Sequence, residues 1–197
     1  RNAAEMLRQL GSLGILDAID PALPWDDVCI HRLTDGLSDL AKTENPVIPD
    51  EKIQIFWCLW LMDLQPKALE TIGLRLRLST KLLGWITQTR ALWQLLPTLT
   101  GQRPSQVTQQ LENYHTIPMR AVFSVCKQAE SRQILGLYEH EYRHVRPFTT
   151  GNDLRALGLP PSPQYEVILS SLKNAWLDGE IQSEGEEKVL LQKLLEQ

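Results

Sequence analysis

Cysteine is scarce in this 197-residue chain: Cys29, Cys58 and Cys126 are odd in number, far apart and set among apolar neighbours. That excludes a disulfide or cysteine–zinc framework and reads as reduced core thiols of a cytoplasmic protein. No apolar run approaches the ~20 residues that span a bilayer, and no secretory signal pattern opens the sequence. Strand-like alternation is almost absent, as are internal repeats and low-complexity tracts. The phosphate loop G-x-x-x-x-G-K-[ST], the dinucleotide turn G-x-G-x-x-G and the nucleophile elbow G-x-S-x-G are missing too. No D-x-D or E-x-E pair follows a strand to hold catalytic magnesium. No catalytic residue is therefore assigned.

What is present is an ordinary globular mixture, 43% apolar and 22% charged, long enough for one sizeable core or two small ones. Apolar spacing of three and four predicts ten or eleven helices. Ala3, Met6, Leu7, Leu10 and Leu13 form the first stripe, and Val28, Leu33, Leu37 and Leu40 the second. Asn45-Pro46 and Pro49 mark a loop, Asp50 is the expected N-cap of residues 53–64, and Pro66 starts a short helix. The Leu/Arg alternation at 74–78 suits a brief extended link before Ser79 caps a long helix. Pro104-Ser105 and Pro118 begin two more, and residues 131–145 make another. Thr150 with Asp153 is a capping-box variant, Gly158 a stop, Ser162-Pro163 an entry, and Ser183 with Glu186 the last cap. The fold class expected is all-α without sheet: a multi-helix body, about ten helices in total, with a small helical tail. The boundary falls near Pro147, giving a body at 1–147 and a tail at 148–197. The six tryptophans sit mostly at helix-core spacing and read as packing. Asp26-Asp27 and Glu186-Glu187 lie in first helical turns, where negative charge meets the helix dipole.

The net charge of −4 hides an asymmetry. Residues 1–70 carry six Lys/Arg against twelve Asp/Glu, a net of −6; residues 71–147 carry ten against four, a net of +6; residues 148–197 carry four against eight, a net of −4. A basic block between two acidic ones points to a polyanionic partner, or else merely solvates its helices.

One stretch looks catalytic. His140-Glu141-Tyr142-Arg143-His144 matches H-E-x-x-H, in which two His one helical turn apart hold zinc and the Glu activates water. Arg143 places a cation between the ligands, and helical geometry puts Ile134, Leu135, Tyr138, Tyr142 and Val145 on a buried stripe. On that geometry Arg132, Arg143 and Arg146 cluster on the side away from the buried stripe, and His140 and His144 lie on a flank. The match is read as accidental, with no metal assigned; a zinc hydrolase is the remote alternative.

The residues from Val145 to Tyr165, V-R-P-F-T-T-G-N-D-L-R-A-L-G-L-P-P-S-P-Q-Y, followed by W-L-D-G-E-I from Trp176 to Ile181, resemble the tail of bacterial tRNA nucleotidyltransferases of the poly(A) polymerase and CCA-adding superfamily. Family tails read T-G-x-D-L-x-x-L-G-L-x-P-G-P, then a helix ending L-D-G-E-I; Ser162 stands where glycine is common. Weaker resemblance runs upstream. Residues 10–21 look like the neck-to-body segment, Arg75-Leu-Arg-Leu-Ser-Thr-Lys resembles the basic body turn, and Arg103-Pro-Ser-Gln-Val looks like a family helix start.

This resemblance implies the end of a neck (residues 1–16), a body and a tail, cut from a larger enzyme whose N-terminal head would carry the chemistry with magnesium and CTP or ATP. No cofactor is expected in this chain, and no nucleotide addition by it alone. The implied partner is tRNA, gripped along its acceptor and T arms by shape, phosphate and 2′-hydroxyl contacts. Candidate contacts are Arg75, Arg77, Lys81 and Arg90 as one patch and Arg132, Arg143 and Arg146 as a second. The turn Thr149-Thr150-Gly151 and the entry at Pro161-Ser162-Pro163 are candidate phosphate seats. The alternative is a helical protein–protein interaction or dimerisation module, and a homodimer stays open. Whether the parent adds CC, A, CCA or poly(A) is not written in these residues.

Overall fold

A computed structural model describes residues 3–42, 48–160 and 162–196, and no strand occurs among them. In chain order the helices are α1 (Ala3–Ser12), α2 (Ile15–Ile19), α3 (Asp27–Leu40), α4 (Pro49–Leu61), α5 (Pro66–Arg75), α6 (Thr80–Leu95), α7 (Pro104–Leu111), α8 (Thr116–Val125), α9 (Ala129–His140), α10 (Gly151–Ala156), α11 (Gln164–Leu177) and α12 (Glu184–Leu195). Short 3-10 turns occupy Leu96–Thr98 and Tyr142–His144. The expected all-α class is what the chain adopts. The Asn45-Pro46 loop and Pro161 lie outside the described residues. No described helix is long and apolar enough to cross a membrane.

Local chemistry sets most of the boundaries. Ser79 accepts from the Leu82 N–H (3.2 Å) and Ser183 from that of Glu186 (3.3 Å), while Pro66 and Pro104 sit in first turns. The Asp153 carboxylate accepts both the backbone N–H and the hydroxyl of Thr150 at 2.7 Å, and Gly158, at φ 88°, follows the end of α10.

Three boundaries differ from expectation. At α4, Ile48 is the N-cap and Pro49 takes the first position, so Asp50 lies inside the first turn. Residues 74–78 are not extended. The Leu78 N–H reaches back to the Gly73 carbonyl (2.8 Å) and the Leu76 N–H to Ile72 (2.8 Å), around Arg77 at φ 54°. This is a six-residue helix-ending loop with arginine in the left-handed position that glycine usually fills. The helix expected over 131–145 stops at His140. Glu141 leaves helical geometry (φ −123°, ψ −65°), and the His144 ring takes up the Glu139 carbonyl at 3.1 Å, one of the carbonyls that a helix end leaves open.

The helices gather into two compact units, Arg1–Thr98 with Tyr114–Arg132, and Leu99–Asn113 with Gln133–Gln197. This division differs from a single break after residue 147. In the first unit α4 packs against α3, α6 and α8, because it is apolar nearly all round: Ile55, Cys58, Leu59, Trp60 and Leu61 are all buried. Leu33, Met62, Ile72 and Ile86 complete its core. Gly36 on α3 lets neighbours approach closely, since a Cβ there would stand 2.7 Å from Leu59 Cδ1 and 2.9 Å from Val125 Cγ1. The three thiols are buried, and burial pushes Cys58 up to about 11, which makes it chemically quiet.

The second unit has a core of Leu154, Ile168, Leu172 and Leu191 contributed by α10, α11 and α12. Here α7 packs on α11, and two stretches that carried the family resemblance meet. The Asp178 carboxylate accepts the Ser105 N–H (2.9 Å) and hydroxyl (2.7 Å), and Arg103 pairs with Glu180 at 3.2 Å. Thus R-P-S and L-D-G-E are two halves of one polar joint. A contact across more than 70 residues of sequence leaves no local trace, and for that reason the loss of 99–113 from the first unit is invisible in the pattern.

Candidate nucleic-acid interface

The basic block of residues 71–147 is largely neutralised on folding. Arg75 pairs with Asp20 (3.3 Å), Arg120 with Glu51 (2.6 Å), Lys127 with Asp35 (2.6 Å), Arg132 with Asp39 (2.9 Å), Arg103 with Glu180 (3.2 Å) and Arg143 with Glu139 (2.5 Å). Four of these six carboxylates come from the acidic first third. The charge asymmetry of the sequence is therefore in good part an internal pairing scheme.

The first expected patch divides into two kinds of residue. Arg75 is also bonded to the Ile19 carbonyl, and Arg90 donates to the Leu64 carbonyl at 2.7 Å and approaches Gln65 Oε1 at 3.5 Å. These two hold turns in place. Arg77 and Lys81 are exposed and have no acidic partner among the described residues. Lys81 Nζ stands 4.8 Å from the centre of the buried Trp85 ring, against which the His115 ring packs at 4.7 Å. His115 is also the N-cap of α8, its Nδ1 accepting the Ile117 N–H at 3.2 Å. Burial first, and then the Lys81 charge, hold the His115 pKa below its ordinary value despite Glu51, which keeps the ring neutral and able to accept.

The second expected patch is not one surface of one unit. Arg132 belongs to the first unit, where it accounts for two carboxylate bonds to Asp39 (2.9 and 3.1 Å), donates to the carbonyls of Phe123 (2.9 Å) and Cys126 (3.4 Å), and lies 4.1 Å from the Phe123 ring centre. Arg143 and Arg146 belong to the second unit. Arg146 is exposed and donates to the carbonyls of Arg143 (3.0 Å) and Val145 (2.9 Å), with no carboxylate partner among the described residues. His140 and His144 are exposed, and the helix that a zinc motif needs is interrupted between them. Among the described residues no group of three His, Cys, Asp or Glu side chains is gathered to hold a metal.

Thr149 and Thr150 of the Thr149-Thr150-Gly151 turn spend their donors inside the fold. Glu187 of α12, 1% exposed, accepts the Phe148 N–H (3.0 Å), the Thr149 N–H (2.6 Å), the Thr149 hydroxyl (2.6 Å) and the Trp176 indole N–H (2.5 Å). Burial alone would raise its pKa, but the bonds from Thr149, Trp176 and Phe148 outweigh this and leave it below the ordinary carboxylate range. Thr150 is taken by Asp153. Ser162, ahead of α11, is exposed. The sequence places Glu187 in a first helical turn, facing the helix dipole, and misses its role as the hub of the tail. The only local signal is that its donors Thr149 and Trp176 both lie in the two tail stretches that resembled a family.

The arrangement defines an all-helical fold found in CCA-adding enzymes. The chain superposes on a Thermotoga maritima CCA-adding enzyme complexed with tRNA (TM-score 0.75, 13% identity, 99% of this chain and 47% of that one). It also superposes on a CCA-adding enzyme in complex with ATP (TM-score 0.73, 10% identity, 99% and 46%). At such identity the likeness is one of fold. In sequence it is 32% identical over 66 residues to an A-adding tRNA nucleotidyltransferase of Geobacter sulfurreducens, covering 34% of this chain and 8% of that protein. It is 28% identical over 88 residues to an A-adding tRNA nucleotidyltransferase of Halalkalibacterium halodurans, covering 45% and 20%. No protein-family model matches. The chain spans about half the length of the solved chains it matches, and the sequence matches take in a smaller share of the curated relatives. Fold and sequence agree on one family, and together they support this chain as a C-terminal part of a tRNA nucleotidyltransferase.

Proposed function

We propose that this chain is the tRNA-gripping body and tail of such an enzyme, holding the acceptor and T arms while a head outside these 197 residues adds nucleotides with magnesium and CTP or ATP. The observation that carries the reading is the whole-length fold likeness to an enzyme solved with tRNA. Shape and phosphate contacts suffice for such a grip. Of the candidate cations, Arg77, Lys81 and Arg146 have no carboxylate partner among the described residues and are free to make them, whereas Arg75, Arg90, Arg132 and Arg143 are first of all structural.

Arg77 gives the reading a sharp test. A non-glycine residue in the left-handed region costs roughly 1–2 kcal/mol, and strain of this kind persists at working positions. Arg77→Gly is expected to raise the stability of the chain by about 1 kcal/mol, while weakening tRNA binding and lowering its salt slope by about 1. Lys81→Ala lowers the slope similarly. Urea unfolding and tRNA titration on the same samples check both. An Arg77→Gly chain that binds tRNA with undiminished affinity and slope removes Arg77 from the interface.

A further inference from the structure

Among the Phe, Tyr and Trp side chains of the described residues Phe148 is the most exposed, at 60% against 40% for Trp93, and it stands in a segment whose backbone is firmly held. Its own N–H is fixed on the buried Glu187 carboxylate at 3.0 Å, and the next residue, Thr149, is fixed on the same group twice. The ring packs against Trp176, centroids 5.7 Å apart at 56°, and the Trp176 indole is itself bonded to Glu187. Phe148 is therefore a positioned ring rather than a floppy one, and a partner that covers it meets little ordering cost. Two residues upstream, Arg146 is exposed and paired with no carboxylate among the described residues. An exposed aromatic side chain two residues from a cation without a carboxylate partner matches the chemistry of nucleic acid, a base over the ring and a phosphate near the guanidinium. Trp60 and Trp85, by contrast, are buried in the first unit's core.

We propose that Phe148 is a stacking platform for an unpaired RNA base, with Arg146 as its phosphate contact. The proposal deepens the RNA-binding reading and rests on it. It assigns Glu187 a positioning role, since the carboxylate sets where the platform stands.

The test uses the full chain and two labelled RNAs of identical stem, one closed by a loop of unpaired nucleotides and one a blunt duplex. Phe148→Ala is expected to weaken binding of the looped RNA about tenfold and to leave duplex binding within twofold of wild type. Phe148→Leu, which keeps apolar bulk without a π face, behaves like the alanine variant; Phe148→Trp retains affinity. Unchanged thermal midpoints show that the variants fold, as a side chain this exposed predicts. Equal affinity of wild type and Phe148→Ala for the looped RNA overturns the proposal, and so does an equal loss on both RNAs or full retention by Phe148→Leu. If wild type binds neither RNA at low salt, the RNA-binding reading itself fails and the platform with it; if wild type binds and Phe148→Ala is indifferent, only the platform fails.

Discussion

Glu187→Ala is expected to destabilise the second unit by about 3 kcal/mol or more. Four N–H or O–H groups from Phe148, Thr149 and Trp176 converge on this carboxylate, and a buried donor left without an acceptor costs roughly 1–3 kcal/mol. Hydrogen bonds to a charged acceptor contribute roughly 1.5–3 kcal/mol, more than neutral ones. Because the carboxyl is held below its ordinary pKa in the folded state, its contribution is complete above the unfolded-state pKa. It is lost as pH falls through the lower folded value. Wild type is therefore expected to lose stability as pH falls from the ordinary carboxylate value through the lower folded one, and Glu187→Ala to show a flatter profile there. Glu187→Gln recovers part of the loss at most, since its amide NH2 faces donors. Urea unfolding of the full chain followed by tryptophan fluorescence, Trp176 lying at the centre of the change, reads all three.

Arg132→Ala is expected to cost the first unit about 2–3 kcal/mol. The guanidinium bonds both oxygens of Asp39, donates to the Phe123 and Cys126 carbonyls at the end of α8, and lies over the Phe123 ring. Charge-assisted bonds of this kind contribute roughly 1.5–3 kcal/mol, and the positive charge also meets the negative end of the α8 dipole. Partial exposure screens the ion-pair share, which keeps the figure below the sum of its parts. Lysine has neither the planar fork nor the stacking face, so Arg132→Lys is expected to restore less than half of the loss. Thermal unfolding of the three chains measures this directly.

Much of the fold was legible because helix chemistry is local. Ser79, Pro66, Pro104, Thr150 with Asp153, Gly158 and Ser183 each act within a few residues, and each does in the structure what its neighbours in sequence imply. The helix-ending loop at 74–78 was hidden because an arginine occupies the position where a glycine would have announced it. Long-range polar joints were hidden for a different reason. Asp178 with Ser105, and Glu187 with Thr149, join residues 73 and 38 positions apart, and nothing periodic marks such partners. The same limit governs the candidate interface. A segment charge of +6 is a sum over residues, and it cannot reveal that Asp20, Asp35, Asp39 and Glu51 fold onto Arg75, Lys127, Arg132 and Arg120. Of the cations in residues 71–147, Arg77, Lys81 and Arg146 are the exposed ones left without a carboxylate partner among the described residues.

The most direct measurement of the interface account is the binding of this chain to tRNA, and to a minihelix of its acceptor and T arms, across a salt series. The account predicts binding to both at low salt, with log affinity falling linearly as log salt rises. No binding to either RNA at low salt, or an affinity that ignores salt, contradicts it.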